Sequence, residues 1–140
     1  MTLVLDAAPL VALADRGDPM RETLLETLRG EPGALVLPAP VTAEVDYLLG
    51  ERLGDSARRA FLSDLAARRY EVVCLEIDEY PKIAALDTRY ADLSLGLADC
   101  SIVVLAARFE TSRLLTFDER HFRSVAPLSG NSFTLLPADG

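Results

Sequence analysis

Four carboxylates, Asp6, Glu44, Asp99 and Asp118, are the residues whose type and setting suit chemistry. Asp6 follows the aliphatic run at residues 2–5, and Asp118 follows the run at residues 113–117. An acid that ends a strand stands on the rim where an open α/β sheet places its ligands. Each is also well suited to cap a following helix by accepting backbone N–H bonds. Asp99 opens an apolar segment, and at 100° per residue Ile102, Val103 and Ala106 fall within about 60° of it. The same position would favour an acid through the helix dipole alone. Glu44 borders a stripe of Val41, Val45, Leu48 and Leu49, beside Leu48, whereas Asp46 points nearly the opposite way. Glu44 is therefore the candidate over Asp46, although a border glutamate also suits plain solvation.

Two unit charges 4 Å apart repel by about 4 kcal/mol at an effective dielectric near 20. Carboxylates that converge thus need a proton or a cation between them. All-oxygen ligands select hard ions, which makes Mg²⁺ the expected cofactor and Mn²⁺ its substitute. Such an ion acidifies water, and a second ion about 3.5–4 Å away would stabilise the leaving oxygen of an in-line phosphodiester displacement. That route requires no histidine base.

Elements able to position these acids are legible in the hydrophobic pattern. Residues 2–5 read as a strand, with Pro9 in the first turn of the next helix. Pro19 opens a second helix that Gly30 stops, residues 34–37 read as a buried strand, and Pro40 starts a third helix. Asp55 is expected to cap a fourth helix reaching about residue 69, followed by a strand at 70–75 and a fifth helix after Asp78. Residues 98–110 form the most apolar helix, which must sit centrally. Strands at 113–117 and 132–136 complete the pattern. Short strands alternating with helices imply an α/β fold, a three-layer α/β/α sandwich with a mainly parallel central sheet.

The 140 residues match one domain, 1–140, and no linker or repeat divides them. No apolar stretch reaches the roughly 18 to 20 residues of a membrane span, and the N-terminus has an acid where a signal peptide would be basic, so a cytoplasmic protein is expected. A net charge of −8 excludes a broad basic nucleic-acid surface and leaves only local phosphate contacts. Lys82 is the only lysine, so those contacts would fall to arginine. Cys74 and Cys100 fit neither a redox pair nor a zinc set and read as buried free thiols.

The motifs VLDAAPLVAL, VTAEVDYLL, RYADLSLGLADCSIVVLA and LLTFDERHF occur in this order. Together they resemble the PIN-domain family, specifically the VapC toxins of bacterial toxin–antitoxin modules. The resemblance spans nearly the whole chain and implies a metal-dependent endoribonuclease. Asp6, Glu44, Asp99 and Asp118 match the family's acidic quartet, with Asp6 and Asp99 as the strongest metal ligands. Asp92 lies near the pattern but suits a helix-ending or supporting role. The resemblance also implies an RNA substrate, a cognate antitoxin that blocks the site, a homodimer, and DNA contact only through the antitoxin. One departure is Ala8, where the family often has Ser or Thr; Ser101 and Thr116 are candidates to supply the missing hydroxyl.

Several residues have plainer readings. His121, the only histidine, could reach an RNA phosphate or help a leaving group, but reads better as a surface or turn-packing residue. Arg58, Arg59, Arg68 and Arg69 read as solvated helix faces, while Arg113, Arg120 and Arg123 lie nearer the expected rim and are candidates for a phosphate track. Tyr47 and Phe117 could stack on bases, although core packing better suits Phe117. An aspartyl phosphotransferase or receiver domain would need an acid two residues after Asp6, where Ala8 stands, or an adjacent acidic pair. The remaining alternative is a catalytically weak PIN-like module acting through its antitoxin complex.

Overall fold

The computed structural model describes residues 2–140. Five strands, β1 (Leu3–Leu5), β2 (Leu35–Pro38), β3 (Glu71–Val73), β4 (Arg113–Leu115) and β5 (Thr134–Leu136), form one sheet in the order β3-β2-β1-β4-β5. Every pairing is parallel, with Val4 opposite Val36 on one side and Leu114 on the other. Helices on the faces complete a three-layer α/β/α arrangement. The central strand β1 is a continuous aliphatic run with no exposed residue, as a strand covered on both faces must be.

Seven helices connect the strands: α1 (Ala7–Ala14), α2 (Arg21–Arg29), α3 (Ala39–Arg52), α4 (Asp55–Ala66), α5 (Tyr80–Arg89), α6 (Gly96–Arg108) and α7 (Glu119–Phe122). Helix α6 packs on β1 and β2 as well as on α3 and α5. All its residues from Cys100 to Ala106 are at most 1% exposed, which explains why its sequence lacks a polar face.

The structure corrects several local expectations. Gly54, at φ +94°, takes the N-cap of α4. Asp55 is consequently the first helical residue, and its carboxylate pairs with Arg58 and Arg59 instead of the backbone. The helix stops at Ala66 because Arg68 adopts the left-handed conformation at φ 58°. Helix α6 begins two residues before the expected start, at Gly96, whose φ of +78° follows a left-handed Ser94. Cys74 is exposed, since β3 is an edge strand and the chain leaves the sheet there; Cys100 is buried as expected, and both are free. No helix among the described residues is long and apolar enough to cross a membrane.

Candidate metal centre

The strand order reverses between β1 and β4. An open parallel sheet has its crevice at that switch point, beyond the carboxyl ends of the strands. Asp6 leaves β1 directly, and its amide donates to the Leu115 carbonyl of β4 at 2.9 Å. Asp118 stands three residues beyond the end of β4, because Thr116 and Phe117 lie outside the strand. Asp99 comes from the first turn of α6 and Glu44 from α3. All four line one cleft of about 620 Å³, with Ala8, Leu97 and Phe117 among its other walls.

Capping and convergence coexist. The Asp6 Oδ1 accepts the Ala7 amide at 2.8 Å, and Asp118 Oδ1 accepts the His121 amide at 2.9 Å. Thr116 supplies the hydroxyl that Ala8 lacks: its Oγ1 donates to Asp6 Oδ2 at 2.7 Å and accepts the Asp118 amide at 3.0 Å. Ser101 does not serve this purpose, because its hydroxyl donates back to the Ala98 carbonyl. Asp92 is exposed in the short 3-10 turn Ala91–Leu93 and does not line the cleft. Asp46 turns away to Arg58, 3.3 Å off, as its place on the helical wheel predicts.

His121 overturns its expected role as a surface or turn-packing residue. Its Nδ1 lies 2.7 Å from Asp99 Oδ2 and 2.9 Å from Asp118 Oδ2, and its side chain is only 15% exposed. The available signal was the three-residue step from Asp118, which one helical turn converts into proximity. Phe117 is also displaced from its expected place in the core. It is 37% exposed on the wall of the cleft, while Tyr47, at 65%, extends from α3 without lining it.

The expected arginine track is reduced. Arg113 begins β4 and therefore sits at the opposite end of the sheet from the cleft, where Nη1 meets Glu31 at 2.7 Å. Arg123 is held by Glu119 and Asp139, whereas Arg120 is exposed and makes no ion pair among the described residues. Arg58 and Arg59 on α4 are bound to neighbouring acids, whereas Arg68 and Arg69 lie beyond the helix end, Arg69 paired with Asp64 at 3.0 Å.

Electrostatics mark the cleft as short of positive charge. Burial pushes the Asp99 carboxyl up to about 6, and the charge on Asp6 adds to this, while the His121 hydrogen bond opposes it. Burial likewise raises Asp6, against the pull of its bonds to Thr116 and Ala7, and Asp118 raises it further. Glu44 is exposed along much of its length, yet it too is raised, first by desolvation and then by the charge of Asp6. Acids that resist ionising first because they are buried and then because of one another are suited to a hard cation. One ligand atom each from Asp99, Asp118 and His121 lie within 4.8 Å of one another, a spacing compatible with a single ion.

The PIN domain family model matches residues 3–128, and the chain belongs to that family. It is 36% identical over 135 residues to Ribonuclease VapC26 of Mycobacterium tuberculosis (strain ATCC 25618 / H37Rv), spanning 96% of this chain and 100% of that protein. That identity places it with the VapC type. Two crystal structures, each 18% identical, share the fold. Mycobacterium tuberculosis VapC20, described as a sarcin-ricin loop cleaving toxin, superposes with a TM-score of 0.76 over 83% of this chain and 89% of its own. VapBC2 from Rickettsia felis, bound to a DNA fragment from the promoter, gives 0.69 over 96% and 97% respectively.

Proposed function

We propose that this chain is a divalent-cation-dependent endoribonuclease of one domain, hydrolysing RNA phosphodiester bonds as the toxin of a VapBC-type toxin–antitoxin pair. The observation that carries the reading is the meeting of Asp6, Glu44, Asp99 and Asp118 in one cleft at the β1/β4 switch point of a VapC-type PIN domain. Asp6 and Asp99 are the principal ligands in this reading, Glu44 and Asp118 complete the set, and Mg²⁺ is the ion, with Mn²⁺ as a substitute. When bound, the ion acidifies water and offsets the charge of the phosphodiester undergoing attack.

The protein's own groups prepare that chemistry. Asp6 is fixed at both oxygens by Ala7 and Thr116, so it meets the ion without first being immobilised. Glu44, on the exposed side, is the ligand with most freedom to adjust. Leu97 and Phe117, both partly exposed on the cleft wall, offer apolar surface to a sugar or base beside the scissile phosphate. Arg120 is the nearby arginine left free to meet a flanking phosphate. The chain carries a net charge of −8 and the cleft is lined by four acids, so RNA is attracted there only once a cation has compensated them.

A cognate antitoxin covering the cleft, a homodimer, contact with DNA only through the antitoxin, and action in the cytoplasm belong to the same reading. The test incubates purified protein with total cellular RNA in Mg²⁺, Mn²⁺ or EDTA and maps new ends by sequencing. Discrete ends that require the metal are expected. Cleavage that persists in chelator would overturn the cation-dependent reading.

A further inference from the structure

We infer that His121 is a positioning residue: its Nδ1–H holds Asp99 while its main-chain amide holds Asp118, and together they set the spacing at which these carboxylates receive a cation, while the ring stays outside the coordination shell. The inference rests on the cation-dependent reading above and adds a residue to its machinery.

Three observations support it. First, Nδ1 sits 2.7 Å and 2.9 Å from one oxygen of each acid. An ionised carboxylate only accepts hydrogen bonds, so the proton in the bond between the ring and Asp99 belongs to Nδ1, with Asp118 Oδ2 within ion-pair distance of the same nitrogen. Second, the His121 main-chain amide donates to the other Asp118 carboxylate oxygen at 2.9 Å. Third, the imidazole is the sole hydrogen-bond partner of the Asp99 carboxylate among the described residues. Thr116 already ties Asp6 to the Asp118 backbone, but Asp99 arrives on a separate helix. His121 is what joins it to the others, and the result is a continuous chain from Asp6 through Thr116, Asp118 and His121 to Asp99. Asp99 and Asp118 line the cleft, and the imidazole does not. If the ring ligated the ion through Nδ1 instead, it would give up its bond to Asp99, the one hydrogen bond that carboxylate has among the described residues.

The test has a metal-free arm and a metal-bound arm. His121 is the only histidine, so ring-nitrogen NMR of the untagged protein in EDTA reports it alone. A proton on Nδ1, perturbed by Asp99→Asn, is expected; a neutral ring protonated only at Nε2 would overturn the clamp. In the second arm, Mn²⁺ affinity is measured by EPR. His121→Ala should weaken it by about 10- to 100-fold, the usual cost of losing a group that orients a ligand. His121→Asn, whose amide nitrogen can stand in for Nδ1, should recover most of that loss, and His121→Gln should not. The Asn and Gln pair decides the matter should the Ala variant fail to fold. Pulsed EPR of the wild type should show no directly bound imidazole nitrogen. A bound nitrogen, or equal affinity in wild type, Ala, Asn and Gln variants, would overturn the inference. Wild-type protein that binds no Mn²⁺ would instead sink the cation-dependent function, leaving the clamp to be decided by the metal-free arm.

Discussion

The Thr116 hydroxyl, 1% exposed, donates to Asp6 Oδ2 at 2.7 Å across 110 residues of sequence. Because the same oxygen accepts the Asp118 amide, one side chain sets the positions of two acids from neighbouring strands. Thr116→Val keeps the shape but leaves a buried carboxylate oxygen and an amide without partners. The expected cost is about 1–3 kcal/mol of stability in urea unfolding, with RNA cleavage reduced about 10- to 100-fold. Thr116→Ser should restore both, and wild-type cleavage by the Val variant would show that the hydroxyl is dispensable.

Asp99→Asn should abolish RNA cleavage without unfolding the protein. The folded-state pKa of Asp99 is raised to about 6 from an ordinary 3.8, so the native state binds this proton more tightly than the unfolded chain does. The group therefore favours folding most below pH 3.8, and that advantage is lost as pH rises towards 6. In EDTA, the wild type should lose stability relative to Asp99→Asn across this window, by about 1–3 kcal/mol for a shift of this size. Parallel urea midpoints for the two proteins from pH 4 to 7 would contradict the assignment of that burial penalty to Asp99.

Cation binding should stabilise the fold as well as switch on cleavage. At a free Mg²⁺ concentration 100 times the dissociation constant, the gain is about 2.7 kcal/mol, or several degrees in Tm. Asp6→Asn should remove most of that increment by differential scanning calorimetry. A Tm indifferent to Mg²⁺ and Mn²⁺ in the wild type would count against any ion site in the cleft.

Glu44 and Asp46 provide a matched pair on one helix. Glu44→Gln should lower both Mn²⁺ affinity and cleavage, since Glu44 lines the cleft within the field of Asp6. Asp46→Asn should cleave normally and unfold at nearly the wild-type urea midpoint, because its bond to Arg58 is a partly exposed ion pair. Impaired cleavage by the Asp46 variant alongside a normal Glu44 variant would reverse the choice between them.

The wheel argument that separates these two acids needs only the 3.6-residue period and an apolar stripe, and the structure places Glu44 on the cleft and Asp46 on Arg58 accordingly. It had no comparable hold on His121 or Phe117. His121 reads locally as a lone polar residue on a short turn, and its importance comes from Asp99, 22 residues upstream on another helix. Phe117 reads as one more aromatic after an aliphatic strand, but β4 ends at Leu115 and leaves it on the rim. Arg113 departs from the expected rim for the opposite reason: it starts β4, whereas Arg120 and Arg123 follow that strand.

By itself, the amino-acid sequence determined the alternation of strands and helices, the buried character of α6 and the four acids worth testing. Backbone sterics and hydrophobic periodicity act over a few residues, so those features are written locally. Only the tertiary structure decided that β1 and β4 would be neighbours, that Thr116 would replace the hydroxyl absent at Ala8, and that His121 would meet Asp99 through its ring and Asp118 through its amide. Those contacts join segments far apart in the chain. They exist because burying β1 and α6 on all sides brings the segments together, an outcome of packing the whole chain that no local window contains.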